Sequence, residues 1–168
     1  MLRLLIILLL AAPAAAFAAP PRWAMAVLSD GLDAHARRDY SRARADFLRL
    51  AAQGSAIAET MLGVMTSEGH GSRRDLATAA TWWLRAANRG YAPAQLAVAE
   101  AFTRGEGVAR DPGSAWVWAR LAATHGDDRT AAAAKLLAAR LAPGFDAPTL
   151  AKLDRRRLAW RPWATLAL

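Results

Sequence analysis

Apolar positions recur at helical spacing through most of the chain after residue 55. Ala58, Leu62, Met65 and Thr66 stand at i, i+4, i+7 and i+8, one face of a helix predicted over 56–68. Gly69-His70-Gly71 ends it, because glycine accepts the positive φ that closes a helix C-terminus. Asp75 then offers an N-cap, and a second helix is predicted over 76–89. Ala79, Trp82 (or Trp83) and Ala86 lie on its inner face, and Gly90 ends it.

The same pattern then begins again. Gly54, Gly90 and Gly126 stand 36 residues apart (90 − 54 and 126 − 90). Laid over one another without a gap, 55–90 and 91–126 agree at eleven positions, including Ala58/Ala94, Gly69/Gly105, Gly71/Gly107, Asp75/Asp111, Ala79/Ala115 and Trp82/Trp118. The register also runs backwards, with Asp39, Ala43, Ala51 and Gly54 lying 36 before Asp75, Ala79, Ala87 and Gly90. A fixed period of this size marks a repeat architecture. Asp111 is followed by Pro112, the residue best tolerated at a first helical position. Small alanines let helices approach closely, and tryptophan fills the space between units.

Before the first full unit, Ala43, Phe47, Leu50 and Ala51 form an apolar helical face. Residues 23–28 are expected to open the N-terminal helix or pack over it. After Gly126, Asp127-Asp128 places acid at a helix start, where the macrodipole favours it. An alanine-rich helix over 131–141 ends at Pro143-Gly144, and a last helix runs from about 147 until Pro162. Leu150, Leu153, Leu158 and Trp160 are expected to cover the last unit, with Arg155-Arg156-Arg157 facing water, as a solenoid cap requires.

The residues Ala56, Ala58, Leu62, Gly63, Gly69, Gly71, Asp75, Ala79, Trp82, Ala86, Ala87 and Gly90 together resemble the Sel1-like repeat, a relative of the tetratricopeptide repeat. Unit three departs at Val98-Ala99, where Leu-Gly is the family pattern. Tetratricopeptide repeats have a period of 34 and lack this Gly-x-Gly turn. The resemblance covers 31–126 well and 127–160 loosely. It implies an all-α fold, a short right-handed α-solenoid of antiparallel helix pairs. The expected organisation is a solenoid over 19–142, with units at about 23–54, 55–90 and 91–126 and a half-unit at 127–142. A capping helix and tail follow over 143–168.

Composition changes the picture at the N-terminus. Arg3, the aliphatic run 4–10 and Ala16-Phe17-Ala18 form the n-region, h-region and cleavage pattern of a secretory signal peptide. The run is too short for a spanning helix, which needs about 20 residues. Cleavage after Ala18 would leave a periplasmic or secreted protein. The chain has no cysteine, which excludes disulfides, thiolate metal sites and a lipoprotein anchor. Its formal charge is +8, carried mostly by arginine. In an exported compartment that charge would meet anionic lipid, polysaccharide or an acidic protein face rather than nucleic acid.

No catalytic pattern is present. Gly69-x-Gly71 and Gly105-x-Gly107 lack the third glycine of a dinucleotide fingerprint and lie between helices. His35, His70 and His125 match no metal-ligand spacing, and His70 reads as an exposed loop residue. No metal, cofactor or catalytic residue is therefore expected. Asp75 and Asp111 read as caps, and Trp82 and Trp118 as packing residues. Trp83 and Trp116 are less constrained and are candidates for surface recognition.

Relatives of the repeat family act as adaptors, and exported bacterial members are linked to envelope regulation, polysaccharide export and signalling complexes. The resemblance thus implies a non-catalytic scaffold that holds a protein partner on the concave side, lined by the first helix of each pair. Helical phase then selects Ile57, Thr60, Val64 and Glu68 in unit two, and Pro93, Leu96, Glu100 and Arg104 in unit three. The expected state is a monomer. The alternative is a carbohydrate or membrane-surface binder that uses the arginines with Trp160 and Trp163. Some disulfide-rich relatives are associated with β-lactam binding or hydrolysis, but this chain has neither their cysteines nor a nucleophile motif.

Overall fold

The computed structural model describes residues 22–162. The signal-peptide pattern and Trp163 lie outside them. Eight α-helices follow one another: α1 (Arg22–Ala36), α2 (Tyr40–Ala52), α3 (Ala56–Glu68), α4 (Leu76–Asn88), α5 (Ala92–Arg104), α6 (Pro112–His125), α7 (Asp128–Leu141) and α8 (Ala147–Ala159). A 3-10 turn at Ala142–Gly144 separates the last two. No strand occurs among the described residues, and no described helix is long and apolar enough to cross a membrane.

Six of the eight helices begin where a short polar side chain can replace the missing backbone acceptor. Asp39, Ser55, Asp75, Asp111, Asp127 and Asp146 cap α2, α3, α4, α6, α7 and α8, each accepting from an N–H two or three residues on. The start of α5 has no side-chain cap; Tyr91 precedes it and Pro93 occupies its first turn. Helices α3 and α5 end at Gly69 and Gly105, with φ of 78° and 72°.

The helices pair as α1 with α2, α3 with α4 and α5 with α6, and each pair packs on the next. In addition α3 touches α5 and α5 touches α7, so these three helices form a continuous layer, while α8 returns to pack on α6. This is an α-solenoid of helix pairs. Its interfaces are made of very small side chains. Ala43, Ala79 and Ala115 occupy equivalent positions 36 residues apart, as do Ala58 and Ala94, and Ala86 and Ala122; all seven have no exposed surface. Phe47, Leu62 and Met65 fill the first inter-unit space and are fully buried. Each such side chain contributes about 2 kcal/mol of transfer free energy.

The Gly-x-Gly turns serve those interfaces. A Cβ on Gly71 would stand 2.9 Å from the carbonyl oxygen of Tyr40, the first residue of α2. A Cβ on Gly107 would overlap the carbonyl of Leu76, the first residue of α4. Tyr40 and Leu76 are themselves 36 apart. In both units the second glycine therefore lets the turn of one unit rest on the start of the preceding unit's second helix.

A buried charge joins the middle of the stack. Glu59 on α3 has no exposed surface. Its two oxygens meet Arg85 Nη2 at 3.0 Å and Arg89 Nε at 3.1 Å, partners that a carboxylate out of water requires. The equivalent position one unit later is Gln95, also fully buried, whose Nε2 donates to the Ala87 carbonyl at 3.3 Å.

At the C-terminal end α7 and α8 close over α6. Leu153 is buried there, and Leu150 and Trp160 pack against the same cluster. Leu158 departs from expectation and is 57% exposed, because it falls on the outer face of α8. Trp116, a candidate for surface recognition from the sequence, is only 7% exposed and belongs to this core. The α6 face that it occupies is covered once α7 and α8 fold back.

Two outcomes follow from this packing. Gly107→Ala should lower stability by at least about 2 kcal/mol, through positive φ and overlap with Leu76. Gly144→Ala, with open space around it, should stay within about 0.5 kcal/mol in the same urea unfolding assay. Acid should also loosen the stack. Thr78 and Ser114, hydrogen-bonding through their hydroxyls and N–H groups, hold Asp75 and Asp111 below the ordinary value of 3.8. Thr130 and Thr149 do the same for Asp127 and Asp146. A depressed folded pKa gives stability that is present above the unfolded value and lost as pH falls through the folded one. The melting temperature followed by circular dichroism should therefore be level from neutral pH down to about 4 and fall below it. The Asp75→Asn/Asp111→Asn double variant should show a shallower fall.

Candidate functional site

Helical phase places the expected partner-binding residues on one face of the first-helix layer. On α3, Ile57 and Glu68 are exposed, whereas Thr60 and Val64 are half-buried. Thr60 directs its hydroxyl inward along the helix, donating to the Ala56 carbonyl at 2.7 Å. On α5, Pro93, Leu96 and Glu100 are half-buried and Arg104 is exposed.

The structure brings Glu100 and Arg104 together with residues that the sequence reading left out. Both line a groove of about 340 Å³ between α5 and α7, opposite Leu136, Leu137 and Arg140. Leu136 is 63% exposed, a large apolar side chain in an otherwise charged setting. The unit-two quartet does not line this groove. The repeat period carries the missing signal: 64, 100 and 136 are successive steps of 36, and so are 68, 104 and 140. The half-unit α7 thus continues the same face with Leu136 and Arg140.

Charge on the face is partly consumed within the chain. Arg104 Nε meets Glu106 at 2.7 Å and Arg104 Nη2 meets Glu100 at 3.3 Å. The Glu106 hydrogen bond holds the guanidinium pKa above its ordinary value. Among the described residues, Arg140 has no ion-pair partner. The groove therefore presents one unpaired cation beside an exposed leucine.

The C-terminal basic region is arranged differently. Trp160 stacks edge-on against Trp118, with centroids 6.2 Å apart, and lies 6.0 Å from His125. Arg157 is drawn to Asp154 at 2.7 Å, while Arg155 and Arg156 face water. Trp160 is thus engaged in packing the end of the stack. Trp82 packs on the first core cluster and carries Arg85 over its ring at 4.7 Å. Trp83 lies across Gly63, where a Cβ would overlap its indole.

Histidine is the clearest departure from the sequence reading. His70 is half-buried, and its ring stacks on Tyr40 at 4.1 Å with planes 6° apart. His35 on α1 lies 5.8 Å from His70 between centroids. With Glu68 they offer three ligand atoms within 4.8 Å of one another. His35 and His70 are 35 residues apart, almost one repeat period. Residues one period apart stand side by side in adjacent units, so a search for short local spacing passes over them.

Comparison with known proteins agrees with this geometry. Residues 56–91 and 92–127 match the Sel1 repeat family model. A comparison with curated proteins gives no match. Among solved structures, one similar chain is a protective antigen present in uropathogenic Escherichia coli strains displaying an SLR fold. It has a TM-score of 0.73 and 25% identity over 83% of this chain. A Sel1 repeat protein from Oxalobacter formigenes has a TM-score of 0.59 and 21% identity over 75% of the chain. This chain spans 30% and 59% of those two proteins' lengths. The 36-residue period, the paired helices and the family match together identify residues 56–91 and 92–127 as two Sel1 repeats.

Proposed function

We propose that this protein is a non-catalytic scaffold of the bacterial envelope that holds a segment of a protein partner on its first-helix face. Sel1 repeat proteins are in general protein-interaction scaffolds. The observation that carries the finer reading is the groove between α5 and α7, where exposed Leu136 stands with Arg140, Glu100 and Arg104. Apolar anchors flanked by charge are how a short peptide or helix is held and oriented. The partner segment places an apolar side chain against Leu136 and Leu137 and an acidic group toward Arg140. The faces of α3 and α5, from Ile57 to Glu68 and from Pro93 to Arg104, extend the contact. Residues 1–18 support the envelope location, since their pattern is that of an export signal.

Crosslinking the tagged chain in its own host, followed by mass spectrometry, identifies what it holds. The Arg104→Glu/Arg140→Glu variant should then capture the main partner at least about tenfold less well. Its stability should change by less than about 1 kcal/mol, because the ion pairs of Arg104 are exposed. Undiminished capture after this charge reversal, and after a second at Glu68, would rule out the first-helix face as the binding surface.

A further inference from the structure

We infer that His35, Glu68 and His70 form a binding site for a divalent transition metal of the zinc class, which staples the first unit to the second. Three elements supply the ligands. His35 stands in the last turn of α1, Glu68 is the last residue of α3, and His70 lies in the Gly-His-Gly turn that follows. Each offers one ligand atom, and all three atoms lie within 4.8 Å of one another. Ligands held about 2.0–2.2 Å from a tetrahedral zinc stand roughly 3–4 Å apart. Side-chain rotations that bring the most distant pair closer by about 1 Å would close the set.

Two orphan nitrogens point to the same conclusion. His35 Nε2 and His70 Nδ1 are both out of contact with water and have no hydrogen-bond partner. His70 Nδ1 does lie 3.0 Å from Glu68 Oε2, but the angles are not those of a hydrogen bond. Two unpartnered imidazole nitrogens beside a carboxylate, without hydrogen-bond alignment between them, are groups that a shared metal ion would satisfy. Desolvated polar atoms left unmade are costly in a folded chain, and a shared cation would satisfy all three groups.

The donor chemistry selects the ion. Two neutral imidazoles and one carboxylate are the ligand set of zinc sites that keep a fourth position for water, and imidazole suits zinc, copper and nickel. Calcium and magnesium require mostly oxygen ligands, and a single carboxylate does not provide them. Tyr40 covers one side, its ring stacked on His70 and set edge-on to His35 at 5.5 Å. The turn is already seated against α2, since Gly71 abuts the Tyr40 carbonyl. A metal here would add a link from α1 to that turn, across an interface otherwise made of apolar packing.

Calorimetric titration of the full, untagged chain with zinc chloride tests this, with thermal melting alongside. One equivalent should bind and raise the melting temperature by several degrees, while calcium and magnesium do neither. His35→Ala and His70→Ala should each weaken zinc binding at least about tenfold and remove the thermal shift. His125→Ala, which alters the histidine beside Trp160, should leave both unchanged. Cobalt(II) gives a direct readout, a visible absorption band present in the parent chain and lost in the two variants. If His35→Ala does not fold, Glu68→Gln at the end of α3 and His70→Asn in the turn after it carry the same test. No binding at millimolar zinc, or stoichiometric binding that survives the loss of both His35 and His70, would overturn the assignment.

Discussion

The stack depends on how closely successive helix pairs approach. That distance is set by what is missing from the interfaces more than by what fills them. Alanines 43, 79 and 115, alanines 58 and 94, and alanines 86 and 122 have no exposed surface. At Gly71 and Gly107 even a methyl group would press into the preceding unit's second helix. Small side chains at a contact let helices pack more closely than large ones do. The large residues then occupy what remains between layers: Phe47, Leu62 and Met65 at one interface, Val98 at the next, and Trp116, Leu121 and Leu153 at the last. Because each unit contacts mainly its neighbours, an error of spacing at one interface would be passed along the whole array.

This constraint also explains where chemistry can reside. A chain with a fixed period of 36 places residues one period apart side by side. It therefore builds rows of equivalent side chains along the stack. One row, Val64, Glu100 and Leu136, and another, Glu68, Arg104 and Arg140, run along the first-helix layer and converge on the groove beside α7. A third neighbourhood, at the opposite end, joins His35 to His70. The same rule builds the proposed recognition face and gives the first two units a cluster of ligand-type side chains.

Much of the fold was legible in the sequence because its signals are local. The limits of α3 at Ala56 and Glu68 follow from Ser55 and Gly69, and Asp111 with Pro112 marks the start of α6. The inner stripe Ala58, Leu62, Met65 and Thr66 is buried as the helical period requires. Other features needed tertiary knowledge. Trp116 reads as a loosely placed aromatic until α7 and α8 fold onto α6 and bury it. Leu158 shares the apolar character of Leu153 but sits on the outer face of the same helix. The α7 side of the groove is not apparent from a half-unit over 127–142 until the period is carried forward to Leu136 and Arg140. The proximity of His35 and His70 escapes a search over a few residues, because the neighbour lies almost one repeat away.

Small side chains fix the spacing between units. The most direct test is to enlarge one of them and compare it with an exposed alanine of the same array. Ala94 is fully buried on α5, and Ala132 is exposed on α7. By denaturant unfolding, Ala94→Leu should cost about 3 kcal/mol or prevent folding, since the inserted atoms have no space. Ala132→Leu should change stability by less than about 0.5 kcal/mol. Equal tolerance of leucine at both positions would contradict the claim that close approach at the alanine rows holds the solenoid together.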